Sequence, residues 1–97
     1  MHPRRKTSLV IQFVGNEVLV HDADRGKVHV LNATAGDVLE LCDGTRTIAD
    51  LTLALSESTG IDASIIEPDV VSIVGAFHEL GLFDPATLLD TPPSAHG

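Results

Sequence analysis

The side chains able to do chemistry are few and scattered. His21, His29 and His78 lie far apart, and no pair has a ligand spacing such as His-x-x-x-His, so ordinary surface or half-buried histidine is favoured over a metal site. Cys42 is the lone cysteine; it excludes an intrachain disulfide, and the neighbouring Asp43 disfavours a thiolate. It reads as a small buried hydrophobe. Asp22-x-Asp24 sits in a turn without the further oxygen ligands of a calcium loop, so a solvated turn is expected. Arg4-Arg5-Lys6 could meet nucleic acid or an acidic face; a flexible solubilising arm over residues 1–7 is the plainer reading. No nucleophile–base pair or phosphate loop stands out. The sequence therefore points to a non-enzymatic protein with no metal or cofactor.

Charge placement narrows the partners. Residues 1–46 hold all six Lys and Arg with six Asp and Glu, whereas residues 47–97 hold eight Asp and Glu and no Lys or Arg. The net charge of −8 thus belongs to the second half, a surface that repels nucleic acid and anionic lipid and attracts basic partners. No apolar run approaches the ~20 residues of a membrane span, and the basic start is followed by too short an apolar stretch for a signal peptide. A cytoplasmic protein, monomer or homodimer, is expected.

The 97 residues, 43% of them apolar, suit one compact domain. Residues 8–14 are β-branched and apolar; Gly15-Asn16 makes a tight turn, and Glu17 to Asp22 returns as the second strand of a hairpin. That register puts Phe13 opposite Val18 and Ile11 opposite Val20, so Leu9, Ile11, Phe13, Val18 and Val20 share the expected core face. After a turn at Ala23 to Gly26, Lys27, Val28, His29, Val30 and Leu31 form a third strand, at the sheet edge if the order is sequential. Asn32 or Thr34 caps a first helix, with Gly44 placed for its left-handed end. Thr47 and Asp50 have capping-box spacing for a second helix that closes at Gly60. Residues 61–67 read as a connector, and Pro68 as the first residue of a third helix ending at Gly81. Val70, Ile73, Val74, Phe77 and Leu80 make its main apolar stripe; Val71, Gly75 and His78 form a neighbouring one. Gly75, costly in mid-helix, suggests close approach of another backbone. From residue 85 a proline-containing tail is expected to be loose. The fold class is α+β, three strands followed by three helices.

Several of these pieces in order resemble the PqqD family. They are Val30-Leu31-Asn32 followed by Ala33-Thr34-Ala35, Leu41-Cys42-Asp43-Gly44, Thr47-Ile48, Asp69-Val70-Val71, and Phe77 to Leu82. The resemblance covers residues 8–84 and implies a winged-helix-like domain, with a three-stranded antiparallel sheet packed on three helices. It also implies a role in the biosynthesis of pyrroloquinoline quinone (PQQ) or another ribosomally made, modified peptide (RiPP). Such a chaperone binds the leader of the precursor peptide as an added strand beside the third strand and third helix. It then presents the precursor to a maturase, often a radical S-adenosylmethionine enzyme. Carried onto this chain by element, the binding residues are Lys27 to Leu31 with Val71, Val74, Gly75 and His78. The residues read alone agree, because an open edge strand beside a helix can accept an extended peptide. The sequence leaves open which of Val28, His29 and Val30 faces the groove. An assembly domain that dimerises through the same edge is the main alternative. A DNA-binding winged helix is disfavoured, because the third helix carries Glu67, Asp69 and Glu79 without Lys or Arg.

Overall fold

The computed structural model describes residues 2–84; the expected loose tail lies outside them. Three strands, β1 (Leu9–Val14), β2 (Glu17–Asp22) and β3 (Lys27–Asn32), form one antiparallel sheet in the order β1-β2-β3. Phe13 pairs with Val18 and Ile11 with Val20, as the tight turn requires. Only Gly15 of that turn has positive φ, at 61°, the pattern of a type II′ turn.

Val18 and Val20 are buried on the inner face, and Leu9 and Ile11 are half-buried beside them. Phe13 departs from expectation: it shares that face but remains 52% exposed. Among the described residues no helix Cα comes within 8 Å of one in β1, so no helix packs closely on the turn end of the strand.

Asn32 caps α1 (Ala33–Leu41), its side-chain oxygen accepting the Ala35 N–H at 2.8 Å. α1 lies close on β2 because Gly36 is buried there: a Cβ at this position would come within 2.9 Å of the Val18 Cβ. Gly44 (φ 88°) sits one residue later than a C′ glycine, since α1 ends on Cys42 and the Asp43 carboxylate turns the chain by accepting from Thr45. α2 (Ile48–Thr59) opens with the full Thr47–Asp50 capping box and closes on Gly60. α3 (Ala63–Leu80) starts five residues before Pro68. Asp62 is the cap, accepting the Ser64 N–H at 2.9 Å, and this early start brings Ile66 into the core. Pro68 stands inside the helix, where it removes one backbone donor.

The core joins Val38, Leu39 and Cys42 of the α1 region to Leu51 and Leu55 of α2 and Ile66, Val70, Val74 and Phe77 of α3. Each fully buried large side chain contributes roughly 1.5–3 kcal/mol. Burial pushes the Cys42 thiol up to about 12, which fits a packing role. Leu82 and Phe83 complete the core after α3, with Phe83 edge-on to Phe77 at 6.1 Å.

The basic arm is docked. Pro3 is buried and its carbonyl accepts the Gly44 N–H; the Arg5 N–H donates to Cys42 and the Lys6 N–H to Leu82. The Arg5 guanidinium donates to the Glu40 carbonyl at 2.8 Å, satisfying the C-terminal end of α1. Lys6 donates to both Asp22 oxygens at 3.1 and 3.0 Å. Asp22 is 1% exposed rather than solvated, because the pairing register places it on the inner face opposite Leu9. Burial alone raises its pKa, but the hydrogen bonds and charge of Lys6, with backbone N–H groups of the turn, outweigh that and hold it below its usual value.

Candidate peptide-binding groove

The hairpin geometry decides which strand edge is open. In a two-residue hairpin the closing pair, here Val14 and Glu17, is hydrogen-bonded, and bonded pairs then alternate along the ladder. Glu17, Leu19 and His21 therefore direct their backbone groups toward β1, and Val18, Val20 and Asp22 toward β3. Their partners on β3 are Leu31, His29 and Lys27. Val28 and Val30 are left with N–H and C=O directed away from the sheet, along its free edge.

The same register answers the question of faces. Lys27, His29 and Leu31 lie on the inner face with Val18 and Val20, whereas Val28 and Val30 lie on the outer face, 56% and 59% exposed. His29 is half-buried, and its Nε2 is buried with no hydrogen-bond partner among the described residues.

α3 runs opposite this edge, yet none of its Cα atoms comes within 8 Å of one in β3. Leu31 of β3 and Ile73 of α3 each pack partly buried against the core. Thr34, just after β3, shares a pocket of about 140 Å³ with Asp69, Val70 and Ile73. Leu55, Thr59 and Ile61 at the end of α2 line it too, so the pocket puts Asp69 and Ile73 on the flank of α3 turned toward Thr34, a flank continued at helical spacing by Ala76 and Leu80. At the other end, Arg25 lies over Gly81, and both line a cleft of about 530 Å³ with His78 and Lys6.

The expected helix residues are thus divided. Val74 is 5% exposed and belongs to the core, since it follows Val70 at i+4. Val71 is 53% exposed, one turn beyond Glu67 on the opposite flank. Gly75 has open space above it, so nothing among the described residues requires a glycine there; Gly36 is a glycine that permits close approach. His78 borders the cleft at the β2–β3 turn. The flank of Asp69, Ile73 and Leu80 was not among the residues expected to bind. Their i, i+4, i+11 spacing was legible as a flank, but not which way it faced.

Among the described residues, no group of three or more His, Cys, Asp or Glu could hold a metal ion, and no helix is long and apolar enough to cross a membrane.

Fold and edge together define a winged-helix-like α+β domain with one sheet margin open beside its last helix. The sequence profile of the family described as coenzyme PQQ synthesis protein D (PqqD) matches residues 17–82, and the chain belongs to this family. The profile spans β2 through α3 and leaves out β1. Solved structures share the fold at low identity. TbiB1, in complex with the TbiA(beta) leader peptide, is 16% identical with a TM-score of 0.71, over 84% of this chain and 95% of that one. A lasso peptide synthetase B1 complexed with its leader peptide is 19% identical with a TM-score of 0.71, over 88% and 100%. The PqqD part of Methylobacterium extorquens PqqCD is a functional, stand-alone recognition element for ribosomally synthesised, modified peptides. It is 21% identical with a TM-score of 0.70, over 84% and 87%. No curated protein matches the chain in sequence.

Proposed function

We propose that this domain binds the leader of a ribosomally made precursor peptide and presents it to a modifying enzyme, without catalysing a reaction itself. The observation that carries this is the open edge of β3, with the backbone groups of Val28 and Val30 unpaired by any strand among the described residues and α3 standing off across a gap. An extended peptide added there gains main-chain hydrogen bonds from the edge and side-chain contacts from the gap. Lys27, His29 and Leu31 line it from the sheet, with Ile73 and Leu80 opposite and His78 at one end. Val71 and Gly75 lie on the exposed flank, where a peptide curling over α3 or the modifying enzyme would meet them. The leader-bound states of two proteins with this fold support the reading by analogy.

The enzyme partner is proposed to be a radical S-adenosylmethionine maturase in the cytoplasm, with PQQ or a related peptide product as the outcome. Calorimetric titration with the leader of the peptide encoded nearest this gene tests the binding step. One-to-one saturation is expected; no heat at tens of micromolar, in a protein that elutes as a stable dimer, would favour an assembly domain pairing through the same edge. That second reading rests on the exposed Val10, Val28 and Val30 of the outer sheet face.

A further inference from the structure

We propose that the leader presents a carboxylate side chain, from Asp or Glu, to Lys27 and His29 on the inner face of β3. This rests on the leader-binding reading above and deepens it to a preference in the peptide.

Two side chains carry the inference. His29 holds Nε2 buried without a partner among the described residues, an arrangement that is costly until something fills it. Lys27 lies two residues away on the same inner face and is exposed, with no ion pair among the described residues. Lys6, by contrast, is engaged with Asp22. Lys27 is thus an exposed cation, and His29 a half-buried ring whose covered Nε2 has no partner among the described residues, on the strand whose edge is open.

A peptide added along Val28 and Val30 places alternate side chains on the inner face, next to Lys27, His29 and Leu31. In an antiparallel addition the residue opposite His29 forms a non-hydrogen-bonded pair, in which side chains stand closest. An ammonium and an imidazole N–H at adjacent inner positions select an acceptor with negative charge. Arg25, in the turn just before Lys27, adds a third cation at that end of the gap, in a cleft that Asp24 and Asp84 also line. The opposite wall disfavours the reverse charge pattern only weakly, since Asp69 lies at the far end beside Thr34. An acidic side chain is therefore directed to the Lys27 end, and an apolar one to Leu31 and Ile73.

The test uses a displayed library of random 12-residue peptides, panned against the wild-type protein, His29→Leu, Lys27→Ala and Val28→Pro, each checked for folding by circular dichroism. The expected result is a set of peptides lost with Val28→Pro. Within it, Asp or Glu should be enriched about tenfold at one position, beside an apolar position two residues away. Both His29→Leu and Lys27→Ala should reduce that acidic enrichment while the apolar preference persists. Peptides that depend on the edge but show no acidic preference, or prefer a hydroxyl or amide there, would overturn the carboxylate and leave leader binding intact. Peptides indifferent to Val28→Pro, or none retained, would overturn leader binding itself.

Discussion

The two basic segments of this small domain are used in opposite ways. Arg5 and Lys6 of the arm are spent inside the molecule, on the carbonyls that end α1 and on the buried Asp22. Lys27 starts a strand of the same sheet, yet it is exposed and unpaired among the described residues, beside a histidine nitrogen that is also unpaired. The first arrangement closes the domain by tying its start to the loop after α1 and to Leu82. The second leaves one margin unfinished. Where polar groups are satisfied internally the chain holds itself together; where they are not, it has something to offer a partner.

The largest test of that contrast is Lys6→Met. It strands the Asp22 carboxylate in a buried site and should cost about 3–5 kcal/mol, read by urea unfolding followed by far-ultraviolet circular dichroism. Adding Asp22→Leu should recover much of the loss. Recovery would assign the cost to the abandoned charge, and its absence would assign it to the arm as a whole. Gly36→Ala should cost about 1–3 kcal/mol, because the new methyl group meets the Val18 side chain.

On the open side, Val28→Pro removes an edge N–H that bonds to nothing in the sheet. Leader affinity should fall about tenfold, with far less loss of stability than Lys6→Met. An equal effect on both would mean that the free edge is part of the structural frame. Gly75→Ala, with open space above it, should stabilise α3 by up to about 1 kcal/mol. A simultaneous loss of leader binding would place the peptide on the exposed flank of α3 rather than in the gap.

Acid provides a smaller test. Asp22 is held below its usual pKa by Lys6 against the effect of burial, Asp43 by the Thr45 hydroxyl and N–H, Asp50 by the Thr47 N–H and hydroxyl, and Asp62 by the Ser64 hydroxyl and N–H. A carboxylate whose folded pKa is depressed gives stability that is present above its unfolded pKa and lost as pH falls through the folded value. Unfolding free energy should therefore hold above pH 4 and decline below the unperturbed value of 3.8. Asp22→Asn should flatten part of that decline.

Local signals explain which features were legible in the sequence. The tight turn at Gly15 fixes the hairpin register, Asn32 and the Thr47–Asp50 pair fix two helix starts, and Gly60 and Gly81 fix two ends, each through residues a few positions apart. The start of α3 was hidden because Pro68 is a stronger starting signal than Asp62, although it is the Asp62 cap that brings Ile66 into the core. The docked arm was illegible, since its bonds to Cys42, Gly44 and Leu82 span most of the chain and leave no periodicity. The edge itself could be read, and so could the identity of its strand. Which flank of α3 faces it could not, because that depends on how α1 and α2 rotate the helix. For that reason Val74 was expected in the groove and stands in the core, while Ile73, one residue earlier, is only partly buried against it.

The most direct test of the central claim is amide hydrogen exchange by NMR, with and without the leader peptide encoded beside this gene. The free protein should show fast exchange at Val28 and Val30 and protection at Lys27, His29 and Leu31, whose N–H groups bond to β2. With leader bound, Val28 and Val30 should become protected, and the gap-lining amides near Ile73 should shift. A leader that binds while Val28 and Val30 keep exchanging freely would contradict strand addition on β3.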